Sequence, residues 1–250
     1  MNTETRVLAP SAQRYLFVVG CPRSGTTAMW RLLTGDPRVV LGNERYGNRW
    51  SAEELTPDLY RKDRFSRIEE GDTFYDDLAA FHERYELMLD RYENAVFVGD
   101  KIPMLFTRLD TIGTNFPGAK VILLLRNIFD VAASYERRAR DTNDTTWSDD
   151  LRTSAAIERW NQSIQVAREH PASLDVQVVD YERFFFQPDQ LERLYDGLGL
   201  DLPPNMPDEH GRIIARARQL EEGRPRDLPQ GAVREICLRA DFEGYRELMG

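Results

Sequence analysis

The sequence predicts an α/β fold of three layers, with a mostly parallel central sheet flanked by helices. Three observations carry this. Apolar runs rich in Val, Ile and Leu recur at residues 16–19, 95–98, 120–125 and 176–179, and runs that apolar suit strands buried on both faces. Amphipathic stretches of helical length fill the gaps between them, the alternation that produces parallel strands. The first run leads straight into a glycine-bounded turn, Gly20-Cys21-Pro22-Arg23-Ser24-Gly25-Thr26-Thr27, of the kind that opens a helix around an anion. With 250 residues and no composition break, internal repeat or low-complexity tract, one domain over residues 1–250 is expected, residues 1–14 being polar and flexible.

Each element follows in order. After the turn, residues 26–34 read as a helix stopped by Gly35-Asp36-Pro37, and residues 38–42 as a short second strand. Residues 73–92 read as one long amphipathic helix whose Leu78, Phe81, Tyr85, Met88 and Leu89 recur at helical spacing and are expected in the core. Three further strands are expected at 95–98, 120–125 and 176–179, and helices at 128–140 and 151–170. In sheets wound this way ligands bind beyond the carboxyl ends of the strands, where every chemically informative residue below falls.

The turn at residues 20–27 makes this a P-loop-type fold with one departure. A Walker loop reads G-x-x-x-x-G-K-[ST], and here the lysine position is Thr26 while the loop's basic side chain, Arg23, comes earlier. Gly20 and Gly25 allow tight backbone turns, Pro22 fixes φ between them, and the amides from Ser24 to Thr27 are expected to face an anion at the helix's positive end. A kinase needs the missing lysine and a magnesium ion to offset a triphosphate. A nucleotide with a single 5′-phosphate and a terminal sulfuryl group needs less.

With its P-R-S-G-T-T run, the chain resembles the sulfotransferases that use 3′-phosphoadenosine 5′-phosphosulfate (PAPS). It is nearest to the branch containing the tyrosylprotein sulfotransferases, whose loop also reads PRSGTT, whereas the cytosolic small-molecule branch has lysine where Arg23 stands. The resemblance runs over roughly residues 15–199. It implies a PAPS-dependent sulfotransferase that works without a metal, Arg23, Ser24, Gly25, Thr26 and Thr27 holding the co-substrate and Arg23 also serving catalysis.

Sulfuryl transfer to a hydroxyl needs a proton acceptor, a donor for developing charge and a grip on the departing nucleotide. Glu44, in Leu41-Gly42-Asn43-Glu44, resembles the glutamate of the family's G-E-E segment and is the candidate general base, although Asn43 stands where the first glutamate of that pair is expected. The small-molecule branch uses a histidine before a proline instead. Here that segment reads Asp100-Lys101-Ile102-Pro103, with no histidine, and Lys101 resembles the lysine that the tyrosylprotein branch places near the bridging oxygen. Arg126 ends the fourth strand, and Ser134 and Arg138 lie four apart on the helix after it, so they share one face and can converge with Arg126 on one anion. The same spacing holds the 3′-phosphate in the family. Tyr181, in Val179-Asp180-Tyr181-Glu182, resembles a further nucleotide contact, and Arg224 and Arg226 sit in a Gly/Pro-rich loop able to close over the nucleotide.

The bulk properties exclude other classes. A net charge of −9 and a pI near 5.0 argue against a nucleic-acid surface. A polar N-terminus without an apolar segment, together with two cysteines rather than a disulfide framework, points to a soluble, cytoplasmic protein. His82, His170 and His210 are scattered without a second ligand at metal spacing, so no metal is expected. Two rival readings remain. A P-loop kinase would have only Asp100 as a magnesium partner, and a nucleotide-binding module would leave Glu44 and Lys101 unexplained. For the acceptor, residues 43–50 are expected to form much of the wall. Tyr46 and Trp50 offer aromatic faces and Arg45, Asn48 and Arg49 offer donors, which favours a glycan or other hydroxylated small molecule over the tyrosine of a peptide. Nothing in the sequence sets the oligomeric state.

Overall fold

In the computed structural model of the chain, residues 13–52, 54–143, 147–187, 189–222 and 227–250 are described. Five strands, β1 (Arg14–Gly20), β2 (Val39–Asn43), β3 (Phe97–Lys101), β4 (Lys120–Leu125) and β5 (Asp175–Asp180), form one sheet in the order β2-β3-β1-β4-β5. Every pairing is parallel. The helices are α1 (Thr26–Leu33), α2 (Lys62–Phe65), α3 (Leu78–Leu89), α4 (Leu109–Asn115), α5 (Ile128–Arg140), α6 (Thr153–Arg168), α7 (Tyr181–Phe186), α8 (Gln190–Leu198), α9 (Met206–Glu222), α10 (Gln230–Arg239) and α11 (Phe242–Met249).

Side chains alternate across the sheet and so feed two cores. Phe17, Val19, Val121 and Leu123 pack on one face with Ile112, Tyr135 and Trp160. Leu16, Val18, Ile122 and Leu124 pack on the other with Met29, Leu32, Phe184 and Leu194. Because helices cover both faces, the central strands must be apolar throughout, which is why they read as unbroken runs. Chain order reverses at β1, which lies between β3 and β4. A crevice therefore opens at the carboxyl ends of these three strands.

Several elements differ from expectation. The helix expected at 73–92 is confined to α3, because residues 69–77 wrap around Asp72, whose carboxylate accepts the Glu69 amide at 3.0 Å, and Asp77 then caps a new start through the Ala80 amide. Phe81, Tyr85 and Met88 are buried as expected, whereas Leu78 is 52% exposed at the first turn. β3 runs on to Lys101, since pairing with both β1 and β2 carries Gly99, Asp100 and Lys101 into the sheet despite their weak strand preference. At the N-terminus Arg14 already belongs to β1, its guanidinium 4.3 Å over the Phe97 ring, while residues 1–12 of the expected flexible stretch lie outside the described residues, as do Arg224 and Arg226.

Candidate active site

The phosphate loop is built on glycine geometry. Gly25 takes φ +94°, and a β-carbon there would fall 2.4 Å from Cδ2 of Tyr181, so this position requires glycine and lays the Tyr181 ring against the loop. Gly25 is also the N-cap of α1 and supplies no side-chain cap. The amides of Gly25, Thr26 and Thr27 are consequently taken by no other described residue, as an anion site at a helix start requires. The Ser24 amide departs from expectation: it donates to the Cys21 carbonyl at 3.0 Å and closes the turn instead. The Ser24 hydroxyl is buried with no hydrogen-bond partner among the described residues. Cys21 is also buried, and burial pushes its thiol up to about 12, leaving it a small inert residue in the turn.

Arg23 has φ +76°, a left-handed conformation that costs a non-glycine residue on the order of 1 kcal/mol or more. Two contacts hold it there. Its Nε donates to the Ser134 hydroxyl at 2.9 Å, and its carbonyl accepts from Nη1 of Arg126 at 3.3 Å. Arg126 is fixed in turn by the Trp160 indole, which donates to its carbonyl at 2.7 Å, and by the Tyr181 ring 4.2 Å below its guanidinium. The helix carrying Ser134 and Arg138 is anchored at Asn127, whose side chain accepts the Phe129 amide and whose own amide donates to Glu182. Arg23, Arg126 and Ser134 are thus one connected group, and Arg138 reaches the same cleft one turn beyond Ser134.

The second group lies at the end of β3. Lys101, only 2% exposed, donates from Nζ to Oε1 of Glu44 at 2.6 Å, while Glu44 is about half exposed. Glu44 has φ +59°, like Arg23 a strained non-glycine position. Asp100 explains how the strain is held. Its wholly buried carboxylate accepts the Tyr46 amide at 2.9 Å and the Arg45 amide at 3.2 Å, and the Glu44 amide donates to the Lys101 carbonyl at 2.9 Å. Gly42 makes room for this clamp, since a β-carbon there would sit 2.6 Å from Oδ1 of Asp100. Burial pushes the Asp100 carboxyl up to about 7, against the two amides and Lys101 and with help from the charge of Glu44. Asp100 therefore faces the turn it organises. Among the described residues no group of three or more His, Cys, Asp and Glu is placed to hold one.

Arg23, Arg126 and Arg138 from the first group and Glu44 and Lys101 from the second line one cleft of about 780 Å³, whereas Ser24, Ser134 and Asp100 are buried and do not line it. Among the described residues, six arginines and Lys101 line it against a single carboxylate, Glu44, in a chain whose net charge is −9. Three of these arginines, Arg31, Arg159 and Arg216, were not anticipated, because they come from α1, α6 and α9 without a motif to mark them. The apolar lining divides by core. Ile102, Met104, Trp50, Trp147 and Leu151 belong to the layer of α3 to α6, and Ala28, Tyr181, Ile213 and Ala217 to the layer of α1, α7 and α9. The expected wall at residues 43–50 is only partly realised. Trp50 lines the cleft, but Arg45 and Tyr46 are fully buried and the Tyr46 hydroxyl is bonded to the Leu59 carbonyl. Arg45 and Arg49 instead close on Asp72 at 2.9 Å each, joined by Arg64 at 2.7 Å. Burial works to raise the Asp72 carboxyl, yet Arg64, the Glu69 amide, Arg45 and Arg49 together hold it well below the usual carboxylate range. This cluster could not be read from spacing, because its acid lies far along the chain from two of its arginines.

No curated protein matches the chain. Among solved structures it is similar to a sulfotransferase from Alicyclobacillus acidocaldarius, with 19% identity over 87% of this chain and 98% of the other and a TM-score of 0.49. The sulfotransferase domain from the curacin biosynthetic pathway is 19% identical over 78% and 76% of the two chains, with a TM-score of 0.49. Mouse sulfotransferase SULT7A1, solved complexed with PAP, is 16% identical over 84% and 67%, with a TM-score of 0.49. A profile of the sulfotransferase family matches residues 16–204, most of the chain and, from within β1, every strand of the sheet, and the chain therefore belongs to the sulfotransferase family.

Proposed function

We propose that this sulfotransferase moves the sulfuryl group of PAPS to the hydroxyl of a small molecule, with Glu44 as general base, Lys101 and Arg23 as electrostatic stabilisers and no metal. The observation that carries this reading is the charge of the cleft, in which, among the described residues, one carboxylate, paired at 2.6 Å with a buried lysine, sits among seven cations beside an uncapped helix start. Arg23, Gly25, Thr26 and Thr27 receive the 5′-phosphosulfate, with the buried Ser24 hydroxyl as a further donor. Arg126, Ser134 and Arg138 receive the 3′-phosphate, and Tyr181 with the α1 and α9 lining receives the base. The acceptor enters from the other lobe, past Trp50 and Met104.

In the transfer the acceptor oxygen forms a bond to sulfur, and the bond between sulfur and the bridging oxygen breaks. Glu44 takes the hydroxyl proton, and the electron pair of the broken bond leaves on the 5′-phosphate of 3′,5′-bisphosphoadenosine. Lys101 and Arg23 stabilise that growing charge, a role worth about 3 kcal/mol for one well-placed donor. Against the kinase reading stands the burial of Asp100, its candidate metal partner, whose two oxygens accept the Arg45 and Tyr46 amides. Asp72 takes Arg45 and Arg49, two of the three donors that favoured a glycan. What lines the acceptor lobe is largely apolar, which suits a hydroxylated small molecule. The free cysteines fit a cytoplasmic location.

Thermal shift tests the nucleotide half. The bisphosphate should raise the melting temperature with EDTA present, and AMP, with no 3′-phosphate for Arg126 and Ser134, should raise it much less. Equal shifts would overturn the assignment. Turnover of radiolabelled PAPS on a panel of acceptors tests the other half, and a preference for acidic tyrosine peptides over every small hydroxyl compound would restore the peptide reading.

A further inference from the structure

The acceptor lobe contains a cation that the reaction as proposed does not use. Arg159 comes from α6, which packs on the turn Pro103–Arg108 following Lys101, and it lines the cleft on the same side as Met104, Trp147 and Leu151. It is half-buried. Its hydrogen-bond partner is neutral: Nη1 donates to the Tyr135 hydroxyl at 3.4 Å, with the Tyr135 ring 5.9 Å away. No carboxylate lies within ion-pair distance of it among the described residues. Asp150 is held low first by the Ser148 hydroxyl and only last by Arg159, with which it forms no ion pair. The contrast with Arg38, Arg45, Arg49 and Arg64 is sharp, since each of these has a carboxylate within 2.9 Å. A guanidinium drawn part-way out of water without a counter-anion is unfavourable, and its planar fork of donors is shaped for an oxyanion.

The nucleotide does not meet this need in the proposed arrangement. Its two anionic ends fall to Arg23, Lys101, Arg126 and Arg138, while Arg31 and Arg216 stand on the α1 and α9 side with its base. We infer that Arg159 is a specificity-determining residue that binds an oxyanion carried by the acceptor itself. The acceptor is then a hydroxylated compound with an apolar body and a carboxylate or phosphate group, the body resting on Met104, Trp147 and Leu151 and the hydroxyl reaching Glu44. This inference rests on the sulfuryl-transfer reading and deepens it.

Calorimetric titration of the protein saturated with 3′,5′-bisphosphoadenosine, a complex in which no turnover occurs, provides the test. The probes are para-hydroxyphenylpropionic acid and ω-hydroxydodecanoic acid, their methyl esters, and the phosphate of para-hydroxyphenylethanol. At least one of the anionic probes should bind about tenfold or more tightly than its neutral counterpart, the increment expected of one charge-assisted pair. Arg159→Gln should erase that difference while leaving the affinity for bisphosphate and for the esters unchanged, and Arg159→Lys should keep part of it. Phosphate binding ahead of carboxylate would identify the oxyanion within the same inference. Esters binding as well as acids, no acid or phosphate binding while the bisphosphate does, or loss of bisphosphate affinity in Arg159→Gln would each overturn the assignment. If the bisphosphate itself failed to bind, the sulfuryl-transfer reading would fall and this inference with it.

Discussion

The two walls of the cleft are made in different ways. The core of the proposed nucleotide wall comes from two strand-turn-helix units, β1 with α1 and β4 with α5, which cross-link directly through Arg23, Ser134 and Arg126. The acceptor wall is assembled from segments scattered along the chain, Glu44 and Trp50 after β2, Met104 after β3, and Trp147, Leu151 and Arg159 around the start of α6. Its geometry depends on buried charge at a distance, Asp100 clamping the Glu44 turn and Asp72 gathering three arginines beneath it. A wall built from local motifs keeps its shape by backbone geometry, whereas one built from remote contacts keeps it through a few buried ions. The two should therefore fail separately.

The largest separation is expected from Glu44→Gln. The amide keeps the shape of the side chain and its contact with Lys101 but cannot accept a proton, so turnover should fall by about 10²–10⁴-fold. Affinity for 3′,5′-bisphosphoadenosine should stay within a few-fold of wild type. Single-turnover transfer from radiolabelled PAPS and calorimetry on the same preparation measure the two sides. Comparable losses in both would mean that the walls are one unit.

A smaller effect, aimed at the scaffold, is expected from Asp72→Asn. Arg45 and Asp72 are both fully buried, and their 2.9 Å approach is an ion contact without the angle of a good hydrogen bond, so charge rather than geometry binds them. Removing one partner of a buried pair costs about 3–5 kcal/mol because the other charge is left stranded. The melting temperature should drop and KM for the acceptor should rise, while bisphosphate affinity of the folded protein holds. A variant as stable as wild type would show that the Phe65 and Arg67 carbonyls are enough to hold Arg45 and that the cluster is not what supports the acceptor wall.

The same contrast explains what the sequence could reveal. The strands, the loop at residues 20–27 and the shared face of Ser134 and Arg138 were legible, because period and short spacing encode them. Glu44 and Lys101 were legible only through resemblance, since nothing local shows that β2 and β3 end side by side. Arg45, Tyr46 and Arg49 look from the sequence like a solvent-facing recognition loop. Arg45 and Tyr46 are interior and Arg49 is partly buried, because Asp72, Leu59 and the aromatic cluster around Phe65 and Phe81 take them in, a tertiary effect that overrides the polarity of the segment. Arg159 carries no sequence signal, as an arginine on an amphipathic helix ordinarily faces water.

The smallest expected effect concerns Asp100, the joint between the walls. Its carboxyl is pushed up to about 7 in the fold, chiefly by burial, from an ordinary value of about 3.9 in the unfolded chain. Between these values the folded chain keeps a proton that the unfolded chain has released. The stability this contributes is fully present below about pH 4 and is lost as pH rises through about 7, at no more than about 1.4 kcal/mol per pH unit. Asp100→Asn is neutral throughout and also leaves one turn amide facing a donor, so its baseline stability will differ from wild type. The informative quantity is the slope. The wild-type melting temperature minus that of the variant should decline from pH 5 to pH 8, because only the wild type acquires a buried charge over that range. Glu182, also raised to about 7 mainly by burial, sits on the nucleotide side beside Asn127 in both proteins and cancels in the difference. Parallel melting curves across the range would mean that Asp100 is already charged in the fold, and that the turn carrying Glu44 is clamped by a full carboxylate at every pH where the enzyme works.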